Sequence, residues 1–429
     1  MATLHENPSS GGPLPGPRRG LDAAVAVPPS KSLTNRALVA AAAAGGGRVV
    51  TPLDCEDTRL LAAALDAMGW PTAWRDGTVT VGRRTAPADR VEVFLGNSGT
   101  GARFLLALAA AVPGDTVVDG TPRLRERPVA PLLGALRRLG APVEAAGERL
   151  PARVRGRELE GGGLTLAPGV SSQFVSALLL AAPSMRRGLD LRLEGRVPSR
   201  PYLELTRAVL EAFGATVTVG EDGRRWRVAP GGLKPVAFTV EGDWSAAAFP
   251  LAAAAVAGGR VTVANVSPSS AQGDRVLTAI LERAGCAVSA GREGVSVEGP
   301  AERAFEADLT DAPDLFPALA VVAASVPGGS VLTGLHALRH KESDRLAVMV
   351  ENLRRLGARV ETDGGRMTVL RPFPFGDAAG AAVTAAADHR IAMAMAVAAL
   401  RAGPLSLDDR NCVAKSYPAF WRDWGRIVG

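Results

Sequence analysis

At 429 residues the chain is too long for one ordinary core, and two domains are the natural expectation. Hydrophobic content of 47% with 21% charged residues is that of a globular protein in water, and no apolar run approaches the ~18 residues of a membrane span. The net charge of +6 admits anionic small molecules, whereas 4% aromatic residues leave little for bases to stack on and argue against nucleic acid as partner.

The opening MATLHENPSSGGPLPGPRRG lacks the basic start and apolar core of a secretory signal and reads as a disordered lead-in. Three scattered cysteines, Cys55, Cys286 and Cys412, suggest neither disulfides nor zinc and fit a reducing cytoplasm. Beyond the lead-in one pattern returns: an amphipathic helix ending in Gly, a short alternating strand, a turn and another strand. The closing glycines are Gly69, Gly140, Gly214, Gly285 and Gly357, spaced 71, 74, 71 and 72 residues apart, and a sixth helix is expected to close on Gly425. Glycine supplies the left-handed stop after a helix, and pairs such as Asp76-Gly77 and Asp222-Gly223 supply hairpin turns. The chain therefore reads as six α/β units of about seventy residues, divisible as three and three into pseudo-threefold domains.

Small polar islands interrupt this apolar background. The first, SKSLTNR (Ser30 to Arg36), precedes an Ala-rich helix; Ser30, Ser32 or Thr34 is positioned to cap it, leaving Lys31 and Arg36 facing an anion. Of 49 Lys and Arg residues only Lys31, Lys234, Lys341 and Lys415 are lysine, and three of these lie in islands. Lysine trades protons where arginine stays charged, so such retained lysines suit proton transfer. Next, LGNSGTGAR (Leu95 to Arg103) brings a Gly-rich backbone to a helix start without the spacing of a Walker or dinucleotide loop. In TPRLRERP, Arg123, Arg125 and Arg127 alternate, and an extended segment would project all three to one side as an anion clamp. GVSSQF and VPSRPYLELT offer hydroxyls at two further helix starts. RHKESDRL gathers Lys341, Glu342, Asp344 and Arg345, and DHRIAMAMA opens with Asp388, His389 and Arg390. His389 has no second ligand at metal spacing, so no metal is expected. The last island, VAKSYPAF, carries Lys415. No Ser-His-Asp set or cysteine with a partner base is apparent. Together the islands predict a site for more than one anion, working by proton transfer without metal or organic cofactor.

Taken in order from about Leu21 to the C-terminus, the eight islands resemble the motifs of the 5-enolpyruvylshikimate-3-phosphate synthase family, in the enolpyruvyl transferase superfamily. The resemblance implies two pseudo-threefold domains, each of three βαβαββ units in an inside-out α/β barrel, closing over substrate. The expected division is residues 1–27 with 243–429 and residues 28–242, with hinge crossings near Val27 and Asp243. It implies transfer of the enolpyruvyl group of phosphoenolpyruvate to the 5-hydroxyl of shikimate 3-phosphate, with no cofactor. Phosphoenolpyruvate contacts would be Lys31, Asn97, Gly99, Arg123, Gln173, Arg345, Arg390 and Lys415. Shikimate 3-phosphate contacts would be Lys31, Ser32, Arg36, Ser171, Ser172, Gln173, Ser199, Tyr202, Asp314 and Lys341. The resemblance further implies that Asp314 takes the 5-hydroxyl proton, that Glu342 beside Lys341 moves the proton at C3, and that Lys31 and Lys415 protonate the leaving phosphate. Gly99 implies glyphosate sensitivity, and the family implies a cytoplasmic monomer.

Pro29 stands where many members have Gly, Phe104 where Pro often occurs, and Ala337 where some have an Asn contacting shikimate. The last leaves open a relative of specialised metabolism acting on another cyclic hydroxy acid. A non-catalytic basic binding protein is the reading from another class; it would need neither Asp314 nor Glu342. The sister enzyme acting on UDP-N-acetylglucosamine commonly has a reactive cysteine in the loop corresponding to residues 113–127, and this chain has none there.

Overall fold

The computed structural model describes residues 13–16, 18–85, 89–167, 169 and 171–429. Residues 1–12 and 17 of the expected lead-in lie outside the described residues, as does Val170 of the GVSSQF island. The part of the lead-in that is described differs from the disordered reading. Leu14 is buried and bridges to Leu405, its N–H donating to the Leu405 carbonyl at 2.7 Å. Leu14 has apolar surface to bury, and the segment is further held by the Arg18 N–H, which donates to the Leu400 carbonyl at 3.1 Å.

The chain divides into two units, Pro29–Glu241 and the flanking residues up to Pro28 and from Gly242 to Gly429. In Pro29–Glu241 three four-stranded sheets share one plan. The first runs Ala237–Thr239, Gly47–Val50, Thr78–Val81, Thr72–Arg75; its first pair is parallel and the others antiparallel. Val91–Phe94, Gly114–Asp119, Ala152–Gly156 and Val143–Ala145 repeat it. So do Gly162–Leu166, Leu189–Leu193, Arg225–Val228 and Val217–Val219. Alternate residues face the core, as in Val91–Phe94, where Val91 and Val93 are buried while Glu92 and Phe94 are exposed.

The other unit has two such sheets among the described residues. Leu21–Val25 lies parallel to Gly259–Val263, followed by Gly294–Gly299 and Ala287–Gly291. Glu306–Asp308, Val331–Thr333, Arg366–Arg371 and Arg359–Thr362 form the next. The sixth repeat keeps only the parallel pair Ala382–Val383 and Ser406–Leu407. Gly69, Gly140, Gly214, Gly285 and Gly357 all take positive φ, between 87° and 102°. Gly425 does not close a helix as expected: it lies inside the helix Phe420–Val428, which no strand follows.

The helices between parallel strands are the inner layer. Lys31–Ala43, Gly99–Ala110 and Gln173–Ala181 pack on one another in the first unit, as do Trp244–Ala257, Phe316–Ala323 and His389–Ala402 in the second. Every residue of Trp244–Ala257 is buried. A helix apolar on all sides belongs inside, so the sheets are outermost and the barrel is inside-out. Each inner helix begins at or beside a polar segment, which places helix N-termini and charged side chains together. No helix among the described residues is long and apolar enough to cross a membrane.

Candidate active site

In Pro29–Glu241, Ser30 is the cap of Lys31–Ala43, its hydroxyl accepting from the Leu33 N–H at 3.5 Å. Thr34 instead donates to the Ser30 carbonyl at 2.9 Å and accepts from the Leu53 N–H at 3.0 Å. Lys31 pairs with the buried Asp57, Nζ to Oδ2 3.0 Å. Arg36, only 1% exposed, donates Nε to Thr206 Oγ1 at 2.9 Å and Nη1 to the Ser32 carbonyl at 2.9 Å. Its Nη2 serves Ser176 Oγ at 3.3 Å and the Tyr202 carbonyl at 3.1 Å. All four acceptors are neutral. Burial draws the guanidinium down to about 10, with Tyr202 opposing, so Arg36 remains a buried cation at neutral pH.

Gly99 opens the next inner helix, after its cap Ser98. A Cβ there would lie 2.6 Å from Arg127 Nη2 and closer still to Arg103 Nη1. Two guanidiniums thus lie over bare backbone that only glycine leaves open. Arg103 donates to Gln173 Oε1 and to the Pro128 carbonyl, each at 2.7 Å. Arg127 donates to the Asn97 carbonyl at 3.1 Å and to Asn97 Oδ1 at 3.4 Å. Gln173 joins two helix starts by donating Nε2 to Thr100 Oγ1 at 3.1 Å, and its N–H donates to Ser171 Oγ at 3.2 Å. Ser172 is buried at the same helix start. Ser199 takes a left-handed φ of 56°, strained for a non-glycine residue, in the turn before Pro201–Ala212. From that helix the Tyr202 ring lies 5.7 Å from the Arg36 guanidinium.

The arginine run corrects the extended reading. Pro122–Glu126 is a short helix capped by Thr121, so the three side chains part company. Arg123 pairs with Glu126 at 2.9 Å and Arg125 donates to Asp119 at 2.8 Å, while Arg127 goes to Asn97 and Gly99. Arg127 thereby joins the Gly99 cluster.

In the other unit, Asp314 precedes the inner helix Phe316–Ala323. Its Oδ1 accepts from Arg345 Nη1 at 2.7 Å and Lys341 Nζ at 3.3 Å, and its Oδ2 from Arg390 Nη2 at 3.1 Å. Arg345, 1% exposed, also reaches Asp388 at 2.7 Å and Glu342 at 2.6 Å. Asp388 caps His389–Ala402 and accepts from the Ser343 hydroxyl at 3.2 Å. Burial would lower the Arg345 guanidinium, but Asp388, Glu342 and Asp314 outweigh it and hold it above its ordinary value. Burial would likewise raise Asp314; Arg390, Lys341 and Arg345 outweigh that, against Glu342, and hold it well below the usual carboxylate range. Lys415 is buried at the end of the turn Asn411–Lys415.

One unit therefore gathers Lys31, Ser32, Arg36 and Tyr202, with Asn97, Gly99, Ser171, Ser172 and Gln173 around the pair Arg103 and Arg127. The other gathers Asp314, Lys341, Glu342, Arg345 and Arg390. Sequence reasoning missed Asp57, Arg103 and the part Asp388 plays in holding Arg345. Arg103 closes the LGNSGTGAR island and Asp388 opens DHR, so both carried a signal; Asp57, in CEDTR, carried none.

Residues 16–424 match the family described as EPSP synthase (3-phosphoshikimate 1-carboxyvinyltransferase). A relative from Methanoculleus marisnigri, named 3-phosphoshikimate 1-carboxyvinyltransferase, is 43% identical over 94% of this chain and 96% of its own. The solved EPSP synthase from Acinetobacter baumannii is similar with a TM-score of 0.78 at 29% identity, covering 97% of this chain and 98% of that one. The enolpyruvyl transferase NikO from Streptomyces tendae shares the fold, with a TM-score of 0.75 at 20% identity over 97% of this chain and 98% of its own. A match over nearly the whole chain, with the islands lying at the starts of buried helices, leads to one conclusion: the chain belongs to the EPSP synthase family.

Proposed function

We propose that the protein transfers the enolpyruvyl group of phosphoenolpyruvate to the 5-hydroxyl of shikimate 3-phosphate and releases phosphate. The observation that carries this reading is Asp314, a carboxylate held by Lys341, Arg345 and Arg390 in a chain of this family. A carboxylate so held is a poor base until the cations find another anion. Phosphoenolpyruvate supplies one: as Arg345 and Arg390 turn to it, the proton affinity of Asp314 rises and it takes the 5-hydroxyl proton. The hydroxyl oxygen attacks C2 while C3 gains a proton, with Glu342 moving that proton. The tetrahedral intermediate then loses a proton from C3 and expels phosphate, which Lys31 and Lys415 protonate. Fixed cations stabilise the charge that develops. Lys31, Ser32, Arg36, Ser171, Ser172, Gln173, Ser199, Tyr202 and Lys341 hold shikimate 3-phosphate, while Asn97, Gly99, Arg123 and Gln173 add to the phosphoenolpyruvate contacts. Glyphosate inhibits through the same Gly99 region, and the protein works as a cytoplasmic monomer.

The test is phosphate release from purified protein given both substrates, with each omitted in turn. Turnover that needs both, and is lost in Lys31→Arg, supports the reading. Folded protein without turnover would move the acceptor to another hydroxylated ring acid, to be screened with phosphoenolpyruvate.

A further inference from the structure

The turn Gly273–Val276 carries a second buried carboxyl for which the proposed reaction has no use. Asp274 is 4% exposed. Its Oδ2 accepts from the Ser245 hydroxyl, and its Oδ1 is buried with no hydrogen-bond partner among the described residues. The adjoining Gln272 fixes this turn to the start of the inner helix Trp244–Ala257. Its Oε1 accepts from the Trp244 N–H at 3.1 Å and its Nε2 donates to the Gly242 carbonyl at 2.8 Å. The charged groups that act on Asp274 come from three inner-helix starts: Asp243 before Trp244–Ala257, Asp314 before Phe316–Ala323 and Arg390 in His389–Ala402. Two are acids and one is a base. An ionised oxygen with no donor, deep in the protein and under the charge of two carboxylates, is costly. Burial first and then the Asp314 charge push the Asp274 carboxyl up to about 7, with Ser245 and Arg390 opposing and Asp243 adding to the rise.

Resting on the proposed enolpyruvyl transfer, we propose that Asp274 is a positioning residue whose carboxyl must carry its proton for turnover. Uncharged, it leaves Arg390 to Asp314 and to the incoming anion. Ionised, it draws on Arg390 and sets a further buried negative charge against both Asp314 and phosphoenolpyruvate. The proton stays on Asp274 throughout, and no bond to substrate forms. The rate then falls as the pH rises past neutrality, because kcat/KM for phosphoenolpyruvate follows the protonated fraction.

The experiment compares wild type, Asp274→Asn and Ser245→Ala, with phosphoenolpyruvate varied across neutral pH, and adds thermal unfolding without substrate. The ratio of kcat/KM in Asp274→Asn to that in wild type should rise about tenfold from acid to alkaline pH, the equivalent of one pKa unit. Ser245→Ala removes a donor that favours the charged form, so the alkaline fall should move to higher pH. In unfolding, a carboxyl whose folded pKa is raised adds stability below its unfolded value and loses it as pH rises through the folded one. The stability of Asp274→Asn relative to wild type should therefore grow between about pH 4 and about pH 7. Parallel rate profiles for wild type and Asp274→Asn would overturn the proposal, whether or not the unfolding difference appears. A wild type without turnover at any pH would instead sink the enolpyruvyl reading, while the unfolding series still reports whether Asp274 titrates as expected.

Discussion

Arg36 and Arg345 are both 1% exposed and both serve the polar edge of an inner helix layer, yet the two units treat them oppositely. Arg36 has four neutral partners and its guanidinium is pulled down to about 10. Arg345 has three carboxylates and is held above its ordinary value. A buried cation without a carboxylate is a standing cost that an anion relieves on binding. A cation wrapped in carboxylates gains little from one more anion, but an anion that displaces a carboxylate raises that group's proton affinity. The first arrangement suits holding a phosphate; the second suits moving a proton.

Substitutions can break this contrast. Asp314→Asn should cost the largest effect, about 10²- to 10⁴-fold in kcat, read as single-turnover phosphate release. Arg345→Met leaves three carboxylates facing one another and should cost about 3–5 kcal/mol in urea unfolding. Arg36→Met should cost only about 1–2 kcal/mol, because it strands neutral acceptors and removes a charge that burial disfavours. Equal losses in the two variants would erase the distinction.

Acid sharpens it. The Asp314 carboxyl is depressed, so its contribution to stability is present above the unfolded value and is lost as pH falls through the folded one. The unit holding Arg345 should therefore lose stability below about pH 4, and Asp314→Asn should flatten that slope. Arg36, charged throughout this range, should leave the acid limb unchanged in Arg36→Met. The smallest effect is expected at Gly99→Ala: the added Cβ meets the ends of two flexible side chains, Arg103 and Arg127, rather than backbone. The protein should fold, with KM for phosphoenolpyruvate raised about tenfold and kcat changed less.

Much of this was legible in the sequence. Gly69, Gly140, Gly214, Gly285 and Gly357 could be placed because a helix stop of positive φ selects glycine. SKSLTNR and DHR could be placed because polar residues stand out before Ala-rich runs. The Thr121-Pro122 start was also written in the chain, as a cap followed by proline; the alternating arginines were given more weight, and the segment was read as extended. What left no trace is partnership between one helix start and another. Nothing local ties Lys31 to Asp57, or Arg345 to both Asp314 and Asp388, because those pairs are made by packing separate helix starts together. Burial of Asp274 is hidden for the same reason.

The most direct measurement is calorimetric binding of shikimate 3-phosphate to wild type, Arg36→Met and Asp314→Asn, with phosphate release followed on the same samples. The account predicts that Arg36→Met loses binding, while Asp314→Asn binds shikimate 3-phosphate and releases no phosphate. Retained binding in Arg36→Met, or turnover in Asp314→Asn, would contradict it.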